Sequence, residues 1–156
     1  MESLRNDTTG PAPAAELLSY LAVAPLLASL ACVALLGDYT GRELAQRAAI
    51  AWGAVLLACT GAVHFGLALA GRLPATPVRT VASAAPAVVA TLAVVAGGQR
   101  ALALLVVGFG VFWLYEHRSL GALLPPAYLS LRRNLSVATC ALLALTLIAS
   151  DAVGLL

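Results

Sequence analysis

One ionisable side chain lies inside a long apolar stretch of this 156-residue chain. His64 stands between Val63 and Phe65, and residues 48–71 contain no Asp, Glu, Lys or Arg. Because an ionisable group at membrane depth is costly to bury, it points first to a functional site. Its ring N–H needs an acceptor, and we consider Thr60, one helical turn earlier on the same face, or a carboxylate from another helix. His64 is then either an interhelical hydrogen-bonding residue or a ligand, proton or redox site.

A second group of polar and aromatic residues lies where the fourth apolar run ends and the last one begins. In an antiparallel bundle these ends reach the membrane side near which His64 lies, so the sequence predicts one polar cluster. In that cluster Glu116 or Tyr128 accepts a hydrogen bond, and an arginine balances the carboxylate. The alternative is an interfacial aromatic belt with arginines that reach the headgroups. The candidates beside His64 and Thr60 are Trp113, Glu116, His117, Tyr128 and Arg132.

The sequence contains no complete catalytic, metal or nucleotide motif. Cys32, Cys59 and Cys140 form no CxxC pair and have no histidine at ligand spacing, so we interpret them as packing residues. Two histidines at unequal depths do not favour bis-histidine haem ligation. We therefore predict no catalytic residue, no metal and no cofactor, and we expect a non-enzymatic protein rather than an enzyme.

The composition is that of a membrane protein. Hydrophobic residues make up 62% of the chain and charged residues 10%, whereas about a quarter of a soluble domain is charged. All nine basic residues are arginines, and they lie between or at the ends of the apolar runs. This distribution is typical of a lipid-embedded chain and excludes a nucleic-acid-binding surface. The absence of lysine favours a GC-rich, bacterial source.

The hydropathy pattern predicts an all-α, polytopic integral membrane protein with five transmembrane helices in one bundle. Residues 1–15 are a flexible leader, residues 16–151 the single membrane domain, and residues 152–156 a short tail. Residues 119–133, with Pro125 and Pro126, are expected to form a partly interfacial loop. The five spans cover about residues 16–36, 47–70, 78–96, 101–115 and 135–150.

The arginines also predict the orientation. With five crossings, six arginines lie on the side of the N-terminus and three on the other side. By the positive-inside rule, the N-terminus is cytoplasmic and the C-terminus is outside. We expect a multi-pass protein of the bacterial inner membrane.

A stripe of small residues follows the second span. Residues four positions apart lie close on a helix surface, and small side chains let another helix approach closely. The sequence therefore predicts a helix-packing face, either for the core or for a partner. Its members are Ala54, Ala58, Ala62, Gly66 and Ala70.

The same span carries a family resemblance. Residues 52–68 read WGAVLLACTGAVHFGLA, and residues 125–136 read PPAYLSLRRNLS. These segments, with Pro86, Gly108 and Phe109, resemble domain-of-unknown-function family 3429, and animal mitochondrial transmembrane protein 69 is similar. The family usually has tryptophan at the positions of Phe65 and Ala127. The resemblance implies a compact protein of the bacterial inner membrane or its organellar descendant, and it implies no established activity.

Two functions remain open from the sequence. The first is a non-enzymatic accessory or assembly partner of a membrane complex, with a membrane protein or a second copy of the chain as its partner. The second is a site for a small apolar ligand, a quinone or a lipid, in the cytoplasmic half of the bundle around His64, Trp113 and Glu116. The lipid bilayer is the surrounding medium in both cases.

Overall fold

The computed structural model describes residues 13–74, 76–120 and 126–154. These residues form six helices and contain no strand, and five helical segments are long and apolar enough to cross a membrane. The predicted all-α, polytopic class is confirmed. Most of the predicted leader, the centre of the expected interfacial loop and the last two residues lie outside the described ranges. The helices are α1 (Pro13–Leu21), α2 (Ala24–Leu35), α3 (Tyr39–Leu69), α4 (Pro77–Ala96), α5 (Gly98–Leu120) and α6 (Pro126–Gly154).

The first span is interrupted, whereas the sequence analysis treated it as one continuous helix. Pro25 occupies the first turn of α2, and α1 ends at Leu21. A proline inside a helix clashes with the carbonyl four residues earlier, which here belongs to Leu21. The Trp52 side chain donates a hydrogen bond of 2.8 Å to the Ala22 carbonyl, so α3 satisfies a backbone group within the break.

Helix α3 begins eight residues before the predicted start of the second span. Asp38 caps it by accepting a hydrogen bond of 2.6 Å from the Gly41 amide. Arg47 and Glu43 then pair at 2.6 Å along the exposed first turns. With 31 residues, α3 is about 46 Å long, which exceeds a hydrocarbon core of about 30 Å. The apolar run therefore marks only the part of this helix that suits the membrane interior.

Helices α4 and α5 form a tight hairpin. Gly97 and Gly98 connect them with positive φ angles of 63° and 54°, which glycine adopts without steric cost. Pro86 lies inside α4 and is buried against Gly61 of α3. A proline, which lacks the backbone N–H, is tolerated inside a membrane helix where a neighbouring helix packs against it.

Helices α5 and α6 extend into the segment that the sequence analysis assigned to a partly interfacial loop. Helix α5 continues to Leu120, and α6 begins at Pro126. Proline suits the first turn of a helix because the N–H it lacks has no partner there. Residues 126–133 are therefore helical, and residues 121–125 lie outside the described ranges.

Helix α3 lies at the centre and packs against α2, α4, α5 and α6. Its contact with α4 is closest at Gly61, where an added Cβ would lie 2.1 Å from the Ser83 carbonyl oxygen. The core around α3 is apolar, and its largest fully buried side chains include Leu26, Leu57, Leu102, Leu105 and Leu143.

The predicted small-residue stripe packs inside the bundle over only part of its length. Ala54 is buried and Ala58 contacts the core, but Ala62, Gly66 and Ala70 are exposed. A step of four residues turns about 40° beyond a full helical turn, so four steps rotate the stripe by about 160°. The close-packing glycines of α3 are instead Gly53 and Gly61.

Candidate functional site

Two buried polar side chains and one half-buried arginine, from three helices, meet near one end of the bundle. His64 comes from α3, Glu116 from α5 and Arg132 from α6. By helix rise, they lie between about 6 and 9 Å from the ends of their helices. Helices α3 and α5 end on the side of the bundle where α6 begins, which brings residues far apart in sequence to one level.

The Glu116 carboxylate joins the other two side chains. His64 Nε2 lies 3.1 Å from Glu116 Oε1, and Arg132 Nε lies 3.2 Å from Glu116 Oε2. The side chains of His64, Glu116 and Arg132 are 6%, 2% and 17% exposed. Both carboxylate oxygens thus have a partner in an environment where an unpaired charge is expensive. We call these three residues the carboxylate cluster.

The pairing fixes the hydrogen-bonding roles within the carboxylate cluster. Arg132 carries a permanent positive charge and balances the Glu116 carboxylate, so the pair is neutral. An ionised carboxylate only accepts hydrogen bonds, so His64 donates through Nε2. In a neutral imidazole the second nitrogen, Nδ1, is then an acceptor, and in a protonated ring it is a donor.

Aromatic rings of α5 pack beside the carboxylate cluster. Phe112 contacts the His64 ring edge to face, with centroids 5.2 Å apart. Tyr115 lies against Phe112 at 6.0 Å, and Trp113 stacks on His117 at 5.6 Å. The packing around His64 therefore holds its ring in one orientation, as a site that acts through a defined geometry requires.

The remaining predicted site residues occupy different positions. Thr60 is buried but donates its hydroxyl to the Leu57 carbonyl at 2.6 Å, so its hydrogen bond stays within α3. Of the two acceptors considered for His64, the structure places the carboxylate of α5 in contact. Tyr128 is half-buried on α6, one turn before Arg132. His117 is exposed and stacks on Trp113, whereas His64 contacts Glu116.

Two cavities border the carboxylate cluster. The first, which we call the His64 cavity, has a volume of about 100 Å³ and lies between α3, α4 and α5. The second, which we call the Arg133 cavity, has a volume of about 210 Å³ and lies between α5 and α6. His64, Phe65, Arg79, Ser83, Phe112 and Tyr115 line the first; Trp113, Glu116, His117, Ser130, Arg132 and Arg133 line the second.

Several of these lining residues were not among the predicted site residues. Ser83 and Arg79 on α4 and Tyr115 on α5 border the His64 cavity. The signal for Ser83 is a hydroxyl within an otherwise apolar span, but a single serine in a membrane helix is too common to identify a site. Within the described ranges, no group of three or more histidine, cysteine or acidic residues is arranged to hold a metal ion.

Comparison with known proteins gives one match. The family model described as "Protein of unknown function (DUF3429)" matches residues 11–148. No curated protein and no solved structure matches the chain. The matched range includes the whole carboxylate cluster and both cavities. The family resemblance seen in the sequence is thereby confirmed, and the chain belongs to the DUF3429 family of proteins of unknown function.

Proposed function

We propose that this protein binds a small apolar ligand, a quinone or a lipid, whose polar head contacts His64 in the His64 cavity. The observation that carries the proposal is a buried imidazole that borders a cavity while its Nε2 is held by Glu116. A purely structural histidine would need only the Glu116 contact. The ring instead has a second hydrogen-bonding atom, Nδ1, on a side chain that lines an open space.

The chemistry of the His64 cavity favours a ligand whose head accepts and donates hydrogen bonds. Arg132 already balances Glu116, and Arg79, which also lines the cavity, donates a hydrogen bond of 3.2 Å to the Pro74 carbonyl and has further N–H donors. Neutral His64 accepts a hydrogen bond from a hydroxyl, such as that of a quinol, and the protonated ring donates one to a carbonyl. Ser83 and Tyr115 add hydroxyl groups, and Phe65 and Phe112 add apolar walls.

The size of the His64 cavity limits what enters it. Sites that enclose a drug-sized ligand have volumes of about 300–1,000 Å³. A cavity of about 100 Å³ accepts the polar head, so an apolar tail lies outside it along the helices. Quinones and lipids both combine a compact polar head with a long tail.

The proposal is tested by ligand-dependent thermal stabilisation of the purified protein in a neutral detergent. The ligands are a short-tailed benzoquinone, its quinol and a neutral diacyl lipid. A ligand at a hundred times its Kd stabilises a folded protein by about 2.7 kcal/mol, or roughly 5–10 °C in Tm for a chain of this size. At least one ligand is expected to give such a shift with the wild-type protein.

The variant His64→Gln separates binding from folding because the glutamine amide still donates to Glu116 while Nδ1 is lost. The ligand-dependent shift is expected to disappear in this variant. His117→Gln is the matched control, since His117 does not line the His64 cavity, and it is expected to keep the shift. An unchanged shift in His64→Gln, or no shift with any ligand in the wild type, would contradict the proposal.

A second candidate is the accessory or assembly role, in which another membrane protein or a second copy of this chain packs against α3. Ala62, Gly66 and Ala70 form the exposed end of the small-residue stripe, and a Cβ added at Gly66 would meet nothing within 4 Å. Small residues on a membrane helix allow close approach of another helix.

The two candidates are separated by co-purification from native membranes. Ala62→Leu is expected to remove a bound partner without unfolding the bundle, because Ala62 is exposed. Ala141→Leu on α6 places the same side chain on another exposed position and serves as the control. Partner recovery that is the same for Ala62→Leu and wild type would count against the accessory role, whatever His64→Gln does to ligand binding.

We further propose a bacterial inner-membrane location with a cytoplasmic N-terminus. The distribution of arginines supports this orientation. In it, the carboxylate cluster lies in the cytoplasmic half of the bilayer. Reporter fusions at the two ends are expected to report opposite sides, with the N-terminal fusion active in the cytoplasm.

A further inference from the structure

The Arg133 cavity contains a cation that the bundle itself does not balance. Among the described residues, the Glu116 carboxylate is engaged by His64 and Arg132, and Arg133 makes no ion pair. Arg133 nevertheless lines the cavity between α5 and α6, beside Arg132 and His117. After the Glu116 and Arg132 charges cancel, the cavity keeps a net positive charge.

The helix dipoles do not account for Arg133. His117 and Arg118 lie in the last turn of α5, where basic residues interact favourably with the negative end of the helix. Arg133 lies about two turns into α6, beyond the first turn to which the dipole effect is confined. Its side chain is exposed, so its charge is accessible to an anion from outside the chain.

The position of the Arg133 cavity indicates the source of that anion. It lies within the last turns of α5 and the first turns of α6, which is the level of the lipid headgroups for helices of this length. Trp113, Pro126 and Leu129 form apolar walls beside the arginines, and Ser130 adds a hydroxyl. Basic pockets between membrane helices on the cytoplasmic side are typical sites for anionic headgroups.

From this geometry we infer that the Arg133 cavity binds the phosphate of an anionic phospholipid headgroup, with Arg133 and Arg132 as its cationic contacts. Arg132 uses its Nε for Glu116, and its guanidinium has further N–H donors. Trp113, stacked on His117, forms the wall against which the upper acyl chain and glycerol lie. This site is separate from the His64 cavity, and a headgroup can bind it while the His64 cavity is empty.

The inference is tested by quenching of Trp113 fluorescence with brominated lipids. The full chain, in a Trp52→Phe background that leaves one tryptophan, is reconstituted in phosphatidylcholine vesicles. Brominated phosphatidylglycerol or brominated phosphatidylcholine is then added at the same mole fractions. One arginine near an anionic membrane surface contributes enough to change affinity about fivefold, so phosphatidylglycerol is expected to bind at least fivefold more tightly than phosphatidylcholine.

The variants decide whether the preference belongs to this cavity. Arg133→Gln is expected to lower the preference about fivefold. Arg118→Gln removes the same charge at the same end of the bundle but does not line the cavity, so it is expected to keep the preference. Equal loss in both variants would show general surface attraction and would overturn the inference, as would equal quenching by the two lipids in the parent protein.

A competition arm distinguishes a lipid from free phosphate. Millimolar inorganic phosphate is expected to leave quenching by phosphatidylglycerol unchanged, because it lacks the acyl chains that contact the apolar walls. Displacement of the brominated lipid by inorganic phosphate would assign the cavity to a soluble anion and overturn the lipid assignment. Circular dichroism of each variant checks that the helices remain intact.

Discussion

Replacement of Glu116 by glutamine tests the charge balance of the carboxylate cluster directly. Glutamine has nearly the same shape, and its carbonyl can still accept the hydrogen bond from His64. The change removes the negative charge that balances Arg132, whose Nε lies 3.2 Å away. The variant therefore leaves Arg132 without its counterion and without the oxygen that accepts from its Nε.

The expected magnitude follows from burial. Removal of one partner from a fully buried ion pair costs about 3–5 kcal/mol in soluble proteins, and an arginine at the centre of a membrane helix costs about 2.5–3.5 kcal/mol. Arg132 is 17% exposed and lies about 9 Å from the end of α6, so part of its charge reaches polar surroundings. We expect Glu116→Gln to lower the free energy of unfolding by about 2–3 kcal/mol.

A double-mutant cycle separates this effect from the loss of an individual hydrogen bond. Arg132→Gln leaves the Glu116 carboxylate, 2% exposed, with His64 as its remaining partner and is expected to cost a similar amount. The double variant contains two amides and no charge, so its cost is expected to be smaller than the sum of the single costs by about 2 kcal/mol. A double-variant cost below the sum of the single costs would show that the Glu116 and Arg132 charges stabilise each other.

The free energies are measured by reversible unfolding in mixed micelles, with sodium dodecyl sulfate as the denaturant and helicity as the signal. All variants are measured without added ligand and in the same lipid, so that ligand or lipid binding does not change their relative free energies of unfolding. A cost below about 0.5 kcal/mol for Glu116→Gln, the range of ordinary surface substitutions, would refute the reasoning. Additive single costs would do the same, because they would mean that the two charges do not depend on each other.

Two further predictions concern glycines of α3 and use the same unfolding assay. Gly61→Ala is expected to cost about 3 kcal/mol, at the upper end for overpacking, because its Cβ would lie 2.1 Å from the Ser83 carbonyl oxygen, whereas ordinary contacts begin at 3.4 Å. Gly66→Ala is the matched control and is expected to stabilise the protein by up to about 1 kcal/mol, since its Cβ meets nothing within 4 Å and alanine favours the helix. Equal effects of the two substitutions would contradict the observed approach of α3 and α4.

Hydropathy could predict the number of helices but not all of their ends. The apolar runs identify the membrane-compatible segments because lipid-facing and core-facing positions are both apolar in a bundle of this kind. Helix α3 starts at Tyr39 because Asp38 caps it, and its first turns are polar. The break before Ala24 depends on Pro25 and on the Trp52 contact to Ala22, which joins residues 30 positions apart.

The site was partly predictable for a geometric reason. The order of the spans brings Glu116 and Arg132 to the membrane side near which His64 lies, and a buried imidazole needs a partner there. The predicted spans end before Glu116 and begin after Arg132, so the common depth of the three residues depends on the extension of α5 and α6. The choice between Thr60 and Glu116 depends on which groups each side chain can reach. Thr60 lies within reach of the Leu57 carbonyl in its own helix, and the sequence alone does not rank that contact against the interhelical one.

The Glu116 carboxylate lies between the two cavities and contacts a residue that lines each of them. His64 lines the first cavity, Glu116 and Arg132 line the second, and the contacts that hold Glu116 are the same contacts that orient His64 and Arg132. Arg132 keeps its charge, so a ligand at His64 acts on a headgroup only where it shifts the Glu116 carboxylate and, with it, the Arg132 guanidinium. If such a shift changes the affinity for a headgroup, a headgroup changes the affinity at His64 by the same factor, as thermodynamic linkage requires. Our two binding proposals thus make Glu116 the residue through which each site senses the other.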